Sequence, residues 1–169
     1  MAEDSQDREP DVRLEMFSQP KLLSGARAMI SNIAQRLGFN EIECGQISLA
    51  VDEALCNIIN HGYSKREDGR IWLSVWALST CPPHIRVVIE DLAQQVDVSE
   101  IEPRDLDVIR PGGLGVHLMR QIMDEVCYEK RPAGGMRLTM SKMRRDPPGN
   151  ADSGAEPTPP ADKSEPEHE

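Results

Sequence analysis

Residues 47–63 read ISLAVDEALCNIINHGY, and the rest of the chain is organised around this stretch. Ile47, Val51, Ala54, Leu55 and Ile58 recur at steps of three and four, the spacing of a core-facing helical stripe. Glu53 and Asn57 lie one helical turn apart on a single face, and Asn60 and His61 continue that row. A carboxylate and an amide beside an apolar stripe are costly to bury without partners. A solvated helix face would explain such a pair on its own. The flanking sequence argues for more.

Upstream, Asn40 with Glu43 three residues later has the form of a capping box opening this helix, and Gly62 closes it. Val12–Phe17 alternates, with Val12, Leu14 and Met16 on one face, and reads as a strand. Ser18 and Pro20 mark a helix start. Leu22, Ala26, Met29, Ile33 and Leu37 supply that helix's stripe, and Gly38 is its stop. Downstream, Lys65–Gly69 is a charged turn. Ile71, Leu73, Val75 and Ala77 alternate as a strand, Cys81-Pro82-Pro83 is a connection, and Ile85–Asp91 (IRVVIED) is a second strand, the two forming an antiparallel hairpin. Leu92–Pro111 shows no clear period and has the length of a lid. A helix is expected from Gly112 to about Val126, with Leu114, Leu118, Ile122 and Val126 inward. Cys127–Lys130 and Met136–Met143 read as a strand pair around the turn Arg131–Gly135. This order predicts an α+β fold, a two-layer sandwich whose mainly antiparallel mixed sheet is covered on one face by helices.

The chain has 169 residues, enough for one domain with tails. Residues 1–10 are polar and acidic, unlike a secretory signal. Residues 146–169 hold six prolines, seven acids and one lysine, the composition of a disordered tail. The folded domain is therefore expected over residues 11–145. The net charge is −10, of which the tail carries −6. A mildly acidic body lacks the basic patch that nucleic acid requires. With no run of eighteen apolar residues, no membrane span is expected. Cys44, Cys56, Cys81 and Cys127 have no CxxC spacing and lie among apolar residues. They read as reduced, core or near-core side chains of a cytoplasmic protein.

Three pieces then fit together. Glu53-x-x-x-Asn57 lies on a helix. Asp91 ends an apolar strand, where an acid alone would be an ordinary turn former. Pro111-Gly112-Gly113-Leu114-Gly115 opens a helix, where glycines let a ligand approach and free N–H groups attract phosphate. In this order the pieces resemble the GHKL ATPases, with their Bergerat-type fold. AVDEALCNIINHGY and GGLGVHLMRQIMDEVCYE are most similar to the small bacterial anti-sigma-factor serine/threonine kinases of partner-switching systems.

That resemblance, covering about Val12–Met143, implies a set of roles. Glu53 would be catalytic, polarising the attacking hydroxyl. Asn57 would ligate Mg²⁺, a hard ion that bridges phosphates. Asp91 would accept a hydrogen bond from the adenine amino group of ATP. Gly113, Leu114 and Gly115 would wrap the phosphates, and Thr139 would lie near the adenine. Apart from the resemblance, Arg104 and Arg110 lie in the lid stretch and read either as solvated loop charge or as an arginine closing over the γ-phosphate, with Arg110 favoured because it lies two residues from Gly112. The expected cofactors are ATP and Mg²⁺, and the expected partner is a STAS-domain anti-sigma-factor antagonist. A sigma factor and a second copy of the chain are further partners that the resemblance admits.

The first glycine box departs from the family pattern, with Asp91-Leu92-Ala93-Gln94-Gln95 placing alanine and glutamine where glycine is common. If Ala93 must adopt positive φ, the strain costs roughly 1 kcal/mol. This departure keeps a second class of function open, a nucleotide-gated binding module of the same fold with little or no phosphotransfer. A histidine-kinase catalytic domain fits less well, because no phosphoacceptor helix pair precedes the domain. The histidines have no metal spacing. Trp72 and Trp76 share a strand face and read as core or partner surface.

Overall fold

The computed structural model describes residues 8–97 and 114–145. Strand β1 spans Val12–Phe17. A short 3-10 turn at Pro20–Leu22 leads into α1, Leu23–Arg36. Helix α2 covers Glu41–Asn57 and continues as a π turn over Ile58–Gly62. Strands β2 (Arg70–Leu78) and β3 (His84–Asp91) follow. Helix α3 spans Leu114–Ile122, then β4 covers Glu125–Lys130 and β5 Met136–Met143.

One five-stranded sheet has the order β1-β2-β3-β5-β4. Its four pairings are all antiparallel, so the parallel component of the expected mixed sheet does not occur among the described residues. The three helices among the described residues pack against one sheet face. Ile47, Val51 and Leu55 of α2 meet Ile71, Leu73 and Val75 of β2 and Ile85, Val87 and Ile89 of β3 in a core fully withdrawn from solvent. Each such side chain contributes about 1.5–3 kcal/mol of transfer free energy on burial. The arrangement is the expected α+β sandwich.

Local chemistry sets the helix ends. Asn40 accepts the Glu43 N–H at 2.9 Å, and the Glu43 carboxylate accepts the Asn40 N–H at 2.9 Å. This reciprocal box stabilises the start of α2 by about 1 kcal/mol. Gly38, with φ of +85°, ends the preceding helix as expected.

Three expectations need correction. Of the stripe expected for α1, Ala26 and Leu37 are buried and Met29 and Ile33 pack half-buried against the core, but Leu22 is exposed, and Leu23, Ile30 and Ala34, which the stripe left out, are buried. Helix α3 stops at Ile122, and Val126 belongs to β4, facing Met140 of β5 across the ladder. Of the cysteines, Cys44 is buried and Cys56 half-buried, but Cys81 and Cys127 are exposed. Cys127 sits on β4, which is an edge strand among the described residues.

The sheet face away from the helices is polar and aromatic. Arg131 stacks over Trp72 at 5.6 Å and Arg86 over Trp76 at 5.2 Å. The tryptophans are thus on the outer face and outside the core.

Candidate functional site

Helix α2 carries Glu53 and, one turn on, Asn57 as its last residue; both are half-buried. The start of α3 crosses them. A Cβ placed on Gly115 would lie 2.7 Å from Glu53 Oε2 and 3.5 Å from Asn57 Nδ2. Only a residue without a side chain fits there while Glu53 keeps its position. The structure therefore brings the carboxylate, the amide and the opening of α3 to one point. Leu114, the first residue of α3, is 75% exposed. Gly113, Arg110 and Arg104 lie outside the described residues.

The helix does not end cleanly after Asn57. The π turn inserts an extra residue per turn, so Ile59 rather than Ile58 is driven into the core. The turn also carries Gly62 against β3's exit. A Cβ on Gly62 would come within 2.9 Å of the Ala93 methyl. The Asn57 end of α2 and the Asp91 end of β3 are thus neighbours.

Among the described residues Asp91 is one of three buried polar or charged residues, at 3% exposure. Its Oδ1 accepts the Ala93 N–H at 2.8 Å and the Met136 N–H at 3.2 Å. Among the described residues Oδ2 has no hydrogen-bond partner. Burial pushes the Asp91 carboxyl above its ordinary range, against the pull of the two backbone N–H groups and Arg131. A carboxylate held in this way, with one oxygen unused, suits an incoming donor.

Thr139 is not at this site. On β5 it alternates with the buried Leu138 and Met140 and pairs with Val88 and Cys127. Its side chain projects from the sheet face opposite to the helices, whereas Asp91 projects toward them. The residue on the Asp91 side of β5 is Met136, so the expected hydroxyl beside Asp91 is absent from that strand.

Ala93 does not carry the anticipated strain. Among the described residues the only non-glycine residues with positive φ are Ser64 and Lys65. Ala93 is buried, with its methyl in the space that Gly62 leaves. Gln95 is equally well used. Its Nε2 donates to Arg131 O at 2.7 Å and Gly135 O at 3.1 Å. Arg131 in turn donates to Asp91 O at 2.6 Å and pairs with Glu90 at 3.2 Å. Sequence reasoning missed Arg131, Gln95 and Tyr63. Only the departure at Gln95 was a visible signal for any of them.

No group of three or more His, Cys, Asp or Glu side chains among the described residues is arranged to hold a metal by itself. An amide oxygen at Asn57 fits Mg²⁺ in its usual mode, with one or two protein oxygens and the rest from phosphate and water. Among the described residues, no helix is long and apolar enough to cross a membrane.

The histidine kinase-like ATPase domain family matches the chain over residues 16–142. The chain is 27% identical to the serine-protein kinase RsbW of Oceanobacillus iheyensis, over 78% of its own length and 85% of the relative's. It is 25% identical to RsbW of Bacillus subtilis, covering 78% and 84%. Among solved structures it is similar in fold to the SiaB–SiaC complex from Pseudomonas aeruginosa, with a TM-score of 0.58, 12% identity, and coverage of 80% and 91%.

Proposed function

The chain belongs to the histidine kinase-like ATPase domain family, and from that premise we propose that it is an ATP-dependent serine/threonine protein kinase and anti-sigma factor. It phosphorylates a STAS-type anti-sigma-factor antagonist and holds a sigma factor when free of it. The observation that carries the chemistry is the meeting of Glu53 and Asn57 with Gly115 at the opening of α3. Glu53 orients the substrate hydroxyl and accepts its proton. Asn57 supplies an oxygen to Mg²⁺, which when bound neutralises charge on the phosphates. The opening of α3 lies at the same point, and free N–H groups at a helix N-terminus favour anionic oxygens. Gly113, Leu114 and Gly115 are assigned to the phosphates on the family resemblance, and Arg110 to the γ-phosphate on its place in the sequence two residues before Gly112. Asp91 reads the exocyclic amine of adenine through Oδ2.

The similarity to the RsbW kinases supports the assignment of a protein substrate. Gln95 and Ala93 have structural uses of their own, so their departure from glycine no longer favours a module without phosphotransfer. The test is titration calorimetry with Mg-ATP, Mg-ADP and Mg-GTP, followed by phosphorylation of a STAS-domain protein captured with this chain from its host. Micromolar ATP and ADP binding, much weaker GTP binding, and serine or threonine phosphate on the captured protein are expected. Absence of ATP binding at millimolar nucleotide, with the protein folded, would end the proposal.

Asp91→Asn separates binding from stability. Losing a hydrogen bond to a charged acceptor should cost about 1.5–3 kcal/mol, a weakening of ATP of roughly 10- to 150-fold. The folded protein should not suffer equally. The folded-state pKa of Asp91 is raised, so the folded state binds this proton more tightly than the unfolded chain. That stability is fully present below the ordinary aspartate pKa of about 4 and is lost as pH rises through the raised folded value. At neutral pH the ionised, buried carboxylate is a net cost, and the neutral amide removes it. Asp91→Asn should therefore melt at or above the wild-type temperature at pH 7. Thermal melts at pH 7 and pH 4 check the sign, since the advantage of the variant should shrink at the lower pH.

A further inference from the structure

Tyr63 follows the π turn directly and is used by neither the proposed chemistry nor the core stripe of α2. It is 8% exposed, yet its hydroxyl is fully engaged. The hydroxyl donates to Arg70 O at 2.6 Å and accepts the Leu92 N–H at 2.9 Å. The Tyr63 N–H donates to Ile58 O at 2.8 Å, which anchors the residue to the end of α2. Its ring lies flat against Gly69, where a Cβ would sit 2.5 Å from ring carbons. One side chain thus joins three backbone segments: the exit of the helix bearing Asn57, the start of β2, and the residue immediately after Asp91.

We infer that Tyr63 is a positioning residue that fixes the spacing between the two ends of the nucleotide site, the base end at Asp91 and the phosphate end at Glu53 and Asn57. The inference rests on the nucleotide reading given above. The geometry of the linkage is specific. Leu92 N–H is the amide next to Asp91 and is held by the phenol. The following amide, of Ala93, is held by Asp91 Oδ1. The backbone carrying Asp91 is therefore clamped from the α2 side by Tyr63 and from the β5 side by Met136 N–H and Arg131. Burial, against the pull of the Leu92 N–H, pushes the phenol above its ordinary range, so it remains a donor to Arg70 at all working pH values. A phenylalanine would keep the ring on Gly69 and lose both part-buried bonds, leaving the Leu92 N–H and the Arg70 C=O without the phenol.

A side chain that serves only the core should affect every nucleotide alike, through stability. A side chain that sets the base end should affect adenine recognition more than phosphate binding. The experiment measures Mg-ATP, Mg-ADP and Mg-GTP affinity by calorimetry, with melting temperature, for the full chain and for Tyr63→Phe. ATP and ADP affinity should fall about tenfold while GTP affinity changes little, so that the preference for adenine narrows. A second variant, Leu92→Pro, removes the same hydrogen bond from its other end. It should reproduce the narrowed preference, and the double variant should narrow it no further than Tyr63→Phe alone. It carries the test if Tyr63→Phe does not fold. An unchanged ATP-to-GTP ratio in the folded variants, or an equal loss of both nucleotides, would overturn the positioning role and leave the nucleotide reading standing. A wild-type chain that binds no adenine nucleotide would remove both.

Discussion

Glu53→Gln is expected to bind Mg-ATP with near wild-type affinity and to transfer phosphate about 10²–10⁴-fold more slowly, the usual contribution of a positioned proton acceptor. The amide has the shape of the carboxylate, so the narrow clearance above it at Gly115 is kept. What it lacks is a lone pair basic enough to take the proton of the attacking hydroxyl. A loss confined to the rate constant, with calorimetric affinity preserved, identifies an interaction made only as the reaction proceeds. Single-turnover phosphorylation of the captured STAS-domain protein reads the rate directly. Transfer at the wild-type rate would take Glu53 out of the chemistry.

Gly135→Ala should be the most destabilising single methyl in the described fold. Gly135 has φ of +78°, which costs an L-residue about 1–2 kcal/mol. Its added Cβ would also stand 2.0 Å from Asp91 O and 2.8 Å from Leu92 Cα. Those are backbone atoms of the adjoining strand end and cannot rotate aside, so β3 and β5 must part there. The total should reach about 3 kcal/mol or more, a fall in melting temperature on the order of 10 °C. The neighbouring Gly134 is the control. Its φ is +92°, but nothing lies within 4 Å of a Cβ there, so Gly134→Ala should cost only the conformational term. Melts followed by circular dichroism compare the two. Equal melting temperatures would show that the strands can give way at Asp91.

The central helix was legible because its signals agree. The Asn40–Glu43 box, the apolar steps from Ile47 to Leu55 and the Glu53–Asn57 spacing all describe one element. Asp91 was legible as an acid closing an apolar strand. Thr139 was misread because strand parity flips with a shift of a single residue. The pairing of Glu90 with Arg137 fixes that parity, and it is not visible in either strand alone. Val126 was assigned to the helix because it satisfies a helical step from Ile122 as well as the alternation of a strand. The π turn had no signature, since Ile58 and Ile59 are equally apolar and only packing chooses between them. Tyr63 escaped notice because its partners, Arg70 and Leu92, contribute backbone groups that any residue would offer.

The order of the strands has a consequence for how the chain reaches this structure. The β2–β3 and β4–β5 pairs close across short turns, and α1 packs on α2 across a turn as well. Strand β1 is different. Val12 pairs with Val75, and the loop so closed contains both α1 and α2. Such a closure must await the helices, because its entropy is recovered only when they lie on the sheet. Among the described residues β1, like β4, is also paired on one side only. It should therefore be the last strand to join and the first to leave, and amide protons in β1 should exchange with solvent well before those of β3 at the sheet's centre. Uniform exchange across the two strands would mean that the sheet opens only as a whole.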